Sequence, residues 1–359
     1  MSYNRKLILA DGTVIFGNAF GSDTEVICEV VFQTAKTGYN DVLTDTDYYN
    51  QIVVMTHNDK NDDGINQNDY DALNGASALI VNKFSDVLLN WHPSKSLNGL
   101  LKEKNIPGLY GVDADALATK IREDGVMYGI IVDVDMPDDL AMVKLTSAPH
   151  VTNHVKQVSP KKAYMVSVDN KKFRVAVVAF TAKKGIVNEL IARNCEVVVL
   201  PYNTSIDEIE TYEPDGVVFS SGPGDPLDLP ELLPVIRELQ TKYPLFGVCL
   251  GHQLFAIANG AQTTKMKFGH RDDKMLVRDI ATGKTLKTFQ NHGFHVDVDS
   301  LEGTDLEVTQ YAIEDGSIEG LKHKKYPAFS VQYHPEAYPE PRDSNYLFDQ
   351  FVEIMGTVK

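Results

Sequence analysis

The chain has 359 residues, enough for two domains at ~150 residues each, and carries 34 Lys and Arg against 50 Asp and Glu, a net charge of −16. Residues 1–150 alone hold 11 basic and 22 acidic side chains, which argues against nucleic acid or an anionic membrane surface as partner, since both are gripped by clustered Lys and Arg. Apolar residues make up 43%, yet no apolar run reaches the ~18 residues of a membrane span. Cys28, Cys195 and Cys249 are too few and too far apart for a disulfide framework. The expected setting is a reducing cytoplasm with no secretory leader, because only Leu7–Ala10 are apolar ahead of Asp11-Gly12.

Residues 6–56 read as β-rich. Lys6–Ala10 and Thr13–Phe16 flank Asp11-Gly12, a hairpin signal, and β-branched strands follow at Glu25–Thr34 and Gln51–Thr56. Helical spacing covers Ser96–Asn105 and Asp115–Asp124, the second stopped by Gly125, and Val126–Asp133 returns to strand. Residues 1–146 are therefore expected to form one domain. Residues 147–172, rich in Ser, Pro, Asn and Lys and without a period, read as a linker. From 173 to 359 the pattern alternates. Strands at Arg174–Phe180, Glu196–Pro201, Gly216–Ser220 and Pro244–Val248 are separated by plausible helices. The fold class is α/β: a β-rich α/β domain, then a doubly wound, mostly parallel sheet.

Three segments of the second domain carry chemistry. Gly247-x-Cys249-x-Gly251 lies between a short apolar strand and an amphipathic helix. This is a nucleophile elbow with sulfur as nucleophile. The glycines relieve crowding at the sharp turn, and the helix N-terminus favours a thiolate. The plainer reading is a buried structural cysteine, which also suits Cys28 and Cys195. A thiolate needs a base, and Phe329–Ala337 ends a strand in His334-Pro335-Glu336, with Pro335 expected to stop the strand. Phe219-Ser-Ser-Gly-Pro-Gly-Asp-Pro226 follows another strand, at the sheet edge where α/β ligands bind. There Gly222 and Gly224 let backbone N–H groups approach an oxyanion.

With these three segments the chain resembles a class I, triad-type glutamine amidotransferase, with Cys249, His334 and Glu336 as Cys-His-Glu triad. Thr37-Gly38-Tyr39-Asn40-Asp41-Val42-Leu43-Thr44-Asp45, Gln51-Ile52-Val53, Gly111-Val112-Asp113, Lys267-Phe268-Gly269-His270-Arg271 and Gln290-Asn291-His292-Gly293-Phe294 narrow the resemblance to the small chain of carbamoyl-phosphate synthase, from about residue 6 to 355. The ~150-residue N-terminal part is the discriminating piece. The resemblance implies a glutamine site made of Gly222, Gly224, Leu250, Gln253, Asn291, Gly293 and Phe294, plus a position, usually Ser, that is Ala35 here. Two further departures are Thr181–Asn188, where the family shows Gly-x-Lys-x-Asn, and Arg271–Leu276, which replaces a Gly/Asn/His/Pro-containing loop.

The resemblance further implies glutamine hydrolysis through a γ-glutamyl thioester, with ammonia passed to a large subunit. That subunit would use ATP and Mg to make carbamoyl phosphate for arginine or pyrimidine synthesis. This chain, lacking a phosphate loop, is expected to bind no cofactor and no metal, and its acidic first domain is expected to dock the partner. Two rivals stay open. An amidotransferase for another acceptor has residues 1–150 against it; a non-catalytic docking or regulatory subunit has only Ala35 and the altered loops in favour.

Three look-alikes are set aside. Asp59-x-Asn61-x-Asp63-Gly64 opens like a calcium loop but has Asn66 at position 8 and Tyr70 at position 12. Gly283-Lys284-Thr285 ends like a phosphate loop whose first glycine is Arg278. His292 and His295 have no recognised zinc spacing around them.

Overall fold

The computed structural model describes residues 3–36, 38–57, 74–86, 88–89, 92–337 and 343–358, so the calcium-like segment lies outside the described residues. The chain forms two compact units, Met1–Val151 and Thr152–Lys359.

The first unit is built on strands Arg5–Leu9 (β1), Val14–Gly21 (β2), Val26–Gln33 (β3), Gln51–Met55 (β4), Ala78–Val81 (β5), Leu88–Leu89 (β6), His92–Ser96 (β7), Pro107–Tyr110 (β8) and Met127–Asp133 (β9). Seven of these close into a barrel in the order β1-β2-β8-β5-β4-β3-β9, with β9 returning to β1. The β1–β2 hairpin turns where the sequence predicts it: Gly12 adopts φ 86° and Asp11 Oδ1 accepts from Thr13 N at 2.9 Å. The β-branched runs of β3, β4 and β5 pair in parallel, and Val30, Val31, Ile52, Val53, Val54, Ile80 and Val81 are all buried. Helices Tyr39–Thr44 (α1), Leu97–Glu103 (α2), Ala114–Asp124 (α3) and Asp138–Ser147 (α4) complete the unit. Their ends follow side-chain chemistry. Ser96 caps α2 through Gly99 N, Asp113 caps α3 through Ala116 N, and Gly125 ends α3 at φ 96°.

The second unit opens inside the segment expected to be a linker. Helix His154–Val158 (α5) and strand Tyr164–Val166 (β10) both fall within 147–172, and β10 pairs antiparallel with Cys195–Pro201. Ser159 Oγ further donates to Ala179 O at 2.7 Å and accepts from Tyr202 N at 3.0 Å. The expectation of an irregular connector is corrected here: a three-residue edge strand is too short to show a period, and its pairing partner lies over thirty residues away.

The remaining strands are Phe173–Ala179 (β11), Cys195–Pro201 (β12), Gly216–Phe219 (β13), Leu245–Val248 (β14), Thr263–Asp279 (β15), Thr285–Val296 (β16), Leu306–Ala312 (β17), Ile318–His323 (β18) and Ala328–Val331 (β19). With β10 they make one sheet, ordered β10-β12-β11-β13-β14-β19-β18-β17-β15-β16. The run β12-β11-β13-β14-β19 is parallel, and the strands beyond β19 are antiparallel. Helices Gly185–Ala192 (α6), Ile206–Thr211 (α7), Leu232–Lys242 (α8), Leu250–Ala258 (α9) and Tyr346–Thr357 (α10) complete the unit.

The parallel strands bury both faces. Ala176, Val178, Val198, Leu200 and Phe219 join one apolar cluster with Ile236, Leu239 and Leu254. Their alternates Val175, Val177, Val197, Val199 and Val218 join another with Phe348 and Phe351. The long β15–β16 hairpin turns at Gly283, φ 67°, so the phosphate-loop look-alike is a hairpin tip.

Candidate active site

The elbow forms because three short strands end together. At the end of β14 the backbone of Cys249 takes φ 53°, ψ −102°, a strained conformation for a residue with a side chain. The glycines around it leave no room for a Cβ. One added at Gly251 would sit 2.3 Å from Phe219 O, and one at Gly247 would sit 2.7 Å from Gly251 O. Two backbone bonds hold the turn: Cys249 N donates to Val331 O at 2.9 Å, and Gly251 N donates to Ser220 O at 3.1 Å. Cys249 is thus the N-cap of α9, where free N–H groups and the helix dipole favour a thiolate.

Strand β19 runs beside β14 with Val331 opposite Val248. It ends at Val331, not at Pro335 as expected, because its neighbour β14 turns away at Cys249. His334 is reached three residues later, its N–H donating to Phe289 O at 2.9 Å. His334 Nδ1 meets Glu336 Oε1 at 3.0 Å, and the imidazole lies within electrostatic reach of Cys249. With a carboxylate on Nδ1, that nitrogen carries the proton and Nε2 is the basic one.

Burial works against an imidazolium at His334, but the charges of Glu336 and Cys249 outweigh it and hold its pKa well above the ordinary value. Burial works against a Glu336 carboxylate too, yet the His334 charge, with help from Lys183, keeps its pKa low. The other thiols differ. Burial pushes Cys28 up to about 12 and Cys195 up to about 11, so both remain neutral strand cysteines.

Of the residues expected to hold glutamine in this unit, Leu250 follows Cys249 directly, and Asn291, Gln253 and Gly222 lie close to the elbow. Asn291 O lies 3.9 Å from Cys249 Sγ, and Gln253 Nε2 donates to Phe294 O at 3.0 Å. A Cβ on Gly222 would meet Leu250 Cδ2 at 2.8 Å, which sets that loop against the start of α9. Gly224 has φ 97° and packs on His154 of α5. Gly293 is two residues from Asn291 on β16, beside the Arg271 guanidinium. Ala35 lies in the first unit, buried just beyond β3.

One residue at the sulfur escaped sequence reading. Gln332 Nε2 is 3.7 Å from Cys249 Sγ. The signal was present in the alternation after β19 begins: Ser330, Gln332 and His334 are polar between apolar Phe329, Val331 and Tyr333. Ser330 Oγ meets His252 Nδ1 of α9 at 2.8 Å, so this polar face looks onto the elbow helix. Gly185 at the start of α6 also went unnoticed; a Cβ there would lie 2.6 Å from Glu336 Cγ.

Among the described residues, one group, His270, His292 and Glu319, has donor atoms close enough to share a metal. The Gln290 carboxamide already joins them. Its Oε1 is 3.1 Å from His270 Nδ1 and 2.8 Å from His292 Nε2, and its Nε2 donates to Glu319 Oε2 at 3.0 Å. The cluster is a hydrogen-bonded network bracing β16 next to Asn291.

Doubly wound sheet, cysteine elbow and adjoining His-Glu pair together define a class-I glutamine amidotransferase unit, and residues 177–354 match the family described as Glutamine amidotransferase class-I. Residues 7–131 match the Carbamoyl-phosphate synthase small chain, CPSase domain. The chain is 47% identical to the carbamoyl phosphate synthase small chain of Listeria monocytogenes serovar 1/2a over 353 residues, 98% of this chain and 97% of that one. It is 46% identical to the small chain of Bacillus anthracis over 356 residues, 99% of this chain and 97% of that one. A solved glutamine amidotransferase from Thermotoga maritima shares 17% identity at a TM-score of 0.38, covering 53% of this chain and 96% of that one. The chain belongs to the carbamoyl-phosphate synthase small chain family. It is accordingly the glutamine-hydrolysing subunit of such an enzyme.

Proposed function

We propose that Cys249, His334 and Glu336 hydrolyse glutamine to glutamate and ammonia through a γ-glutamyl thioester. His334 Nε2 takes the thiol proton as Cys249 Sγ attacks the amide carbon, then returns it to the departing ammonia. Glu336 keeps the imidazole oriented and supports its charge. The N–H groups of Leu250 and of Gly222 or its neighbour hold the oxyanion. Water activated by His334 then releases glutamate.

Ammonia passes to a large subunit that uses ATP and Mg to make carbamoyl phosphate, while this chain itself binds no cofactor. The acidic first unit docks that partner, and the complex works in the cytoplasm. Among the described residues no helix is long and apolar enough to cross a membrane.

The observation that carries this reading is the elbow cysteine in electrostatic contact with a histidine that a buried carboxylate orients. Cys249→Ala in the assembled complex tests it. Glutamine-dependent carbamoyl phosphate synthesis should vanish and ammonia-dependent synthesis survive. A mutant still using glutamine at more than about a hundredth of the wild-type rate would exclude the thioester, since nucleophile loss ordinarily removes far more.

A further inference from the structure

The sulfur of Cys249 is buried, and its neighbours differ in the hydrogen bonds they can make. Asn291 O, 3.9 Å away, can only accept, so it suits the neutral S–H. Gln332 Nε2, 3.7 Å away, can only donate, so it suits the thiolate.

Which end of the Gln332 amide faces the sulfur is settled by its other contacts. Phe294 O can only accept, so the Gln253 atom 3.0 Å from it must be the amide nitrogen. That same nitrogen donates to Gln332 Oε1 at 3.1 Å, which claims the oxygen end of Gln332 and turns its NH2 toward Cys249. The backbone is fixed as well, with Gln332 N donating to Glu319 O at 2.9 Å. Gln332 is fully buried, where a carboxamide is tolerated only if both ends are used.

We propose that Gln332 is a further catalytic residue of this site, its side-chain N–H donating to Cys249 Sγ and stabilising the thiolate. The proposal rests on the reading of Cys249 as nucleophile. In the first half-reaction the S–C bond forms and the amide C–N bond breaks, the thiol proton moving to His334 and then to the leaving ammonia. In the second, the O–C bond from water forms as His334 takes the water proton, the S–C bond breaks, and its electron pair returns to sulfur opposite the Gln332 N–H. The donor therefore assists both attack and departure. In the neutral thioester between them its charge-assisted bond is lost.

The test is the pH dependence of Cys249 alkylation by iodoacetamide in the full chain, followed on the Cys249 peptide, with no glutamine present. Gln332→Met keeps the length and removes the donor. The midpoint of alkylation should rise by about one to two pH units, the size of a hydrogen bond to a charged group. Glutaminase kcat should fall by about tenfold or more, with KM for glutamine changed less. Gln253→Leu, which frees the Gln332 amide to turn, should raise the midpoint by a smaller amount. A folded Gln332→Met with the wild-type midpoint would overturn the proposal and leave the function of Cys249 untouched. Should that variant fail to fold, an unmoved midpoint in Gln253→Leu would overturn it equally. Wild-type Cys249 resisting alkylation at every pH would overturn both readings together.

Discussion

Val248 and Val331 pair across two parallel strands, and that register places Cys249 beside His334 although 85 residues separate them in sequence. Each residue lies just past its paired valine, at the end of the sheet where open α/β folds gather their ligands. Slipping the register by one residue would turn the polar face of Ser330, Gln332 and His334 away from the elbow.

The elbow itself tolerates no side chain at its glycines. Gly251→Ala would drive a Cβ to 2.3 Å from Phe219 O, a backbone atom that cannot swing aside. A loss of about 1–3 kcal/mol of stability is expected, the usual cost of overpacking. Displacing Sγ by ~1 Å should also lower glutaminase kcat by about a hundredfold. Thermal unfolding with steady-state ammonia release checks both, and unchanged values would mean that the turn relaxes freely.

Glu336→Gln keeps the hydrogen-bonding shape and deletes the charge. His334 has a raised pKa because Glu336 and Cys249 overcome its burial, so removing the carboxylate lowers it. A weaker imidazolium stabilises the thiolate less, and the Cys249 alkylation midpoint should rise by about one pH unit. An identical midpoint would restrict Glu336 to holding the ring in place.

Sequence resemblance alone implies a substrate-facing hydroxyl where this chain has Ala35. On that proposal Ala35→Ser should add one substrate hydrogen bond, worth about 0.5–1.5 kcal/mol, and lower KM for glutamine by roughly two- to tenfold. Glutaminase titration of a normally folded variant decides it. An equal or higher KM would show that the new hydroxyl finds no substrate partner.

Away from the site, Arg174 Nε binds Glu196 Oε2 at 2.6 Å, across a register pair of β11 and β12. That hydrogen bond holds the Glu196 carboxyl below its ordinary pKa. Its stabilisation is complete above the unfolded value of about 4.3 and fades as the pH falls through the depressed folded value. Glu196→Gln should therefore cost about 0.5–1 kcal/mol at neutral pH. The gap from wild type should narrow below about pH 4, as measured by urea unfolding. A gap constant with pH would assign the loss to packing.

What the sequence determined by itself is local or short in range. The Asp11-Gly12 turn, the Gly125 end of α3 and the Gly-x-Cys-x-Gly elbow are dictated by backbone sterics within a few residues, and each stands where its residues predict. Four of the five parallel strands announced themselves as apolar runs because both of their faces are covered. Barrel closure was invisible, since β9 meets β1 only through a pairing of residues more than a hundred apart. So was β10, too short for a period and defined wholly by its partner β12. Gln332 makes the same point at the site. A glutamine just past a strand end carries no mark of its partner beyond the polar alternation with Ser330 and His334, and only the placing of this segment beside β14 and α9 turns its amide onto the sulfur. Side-chain chemistry is written in the chain, but which groups face one another is decided by long-range pairing that no local pattern encodes.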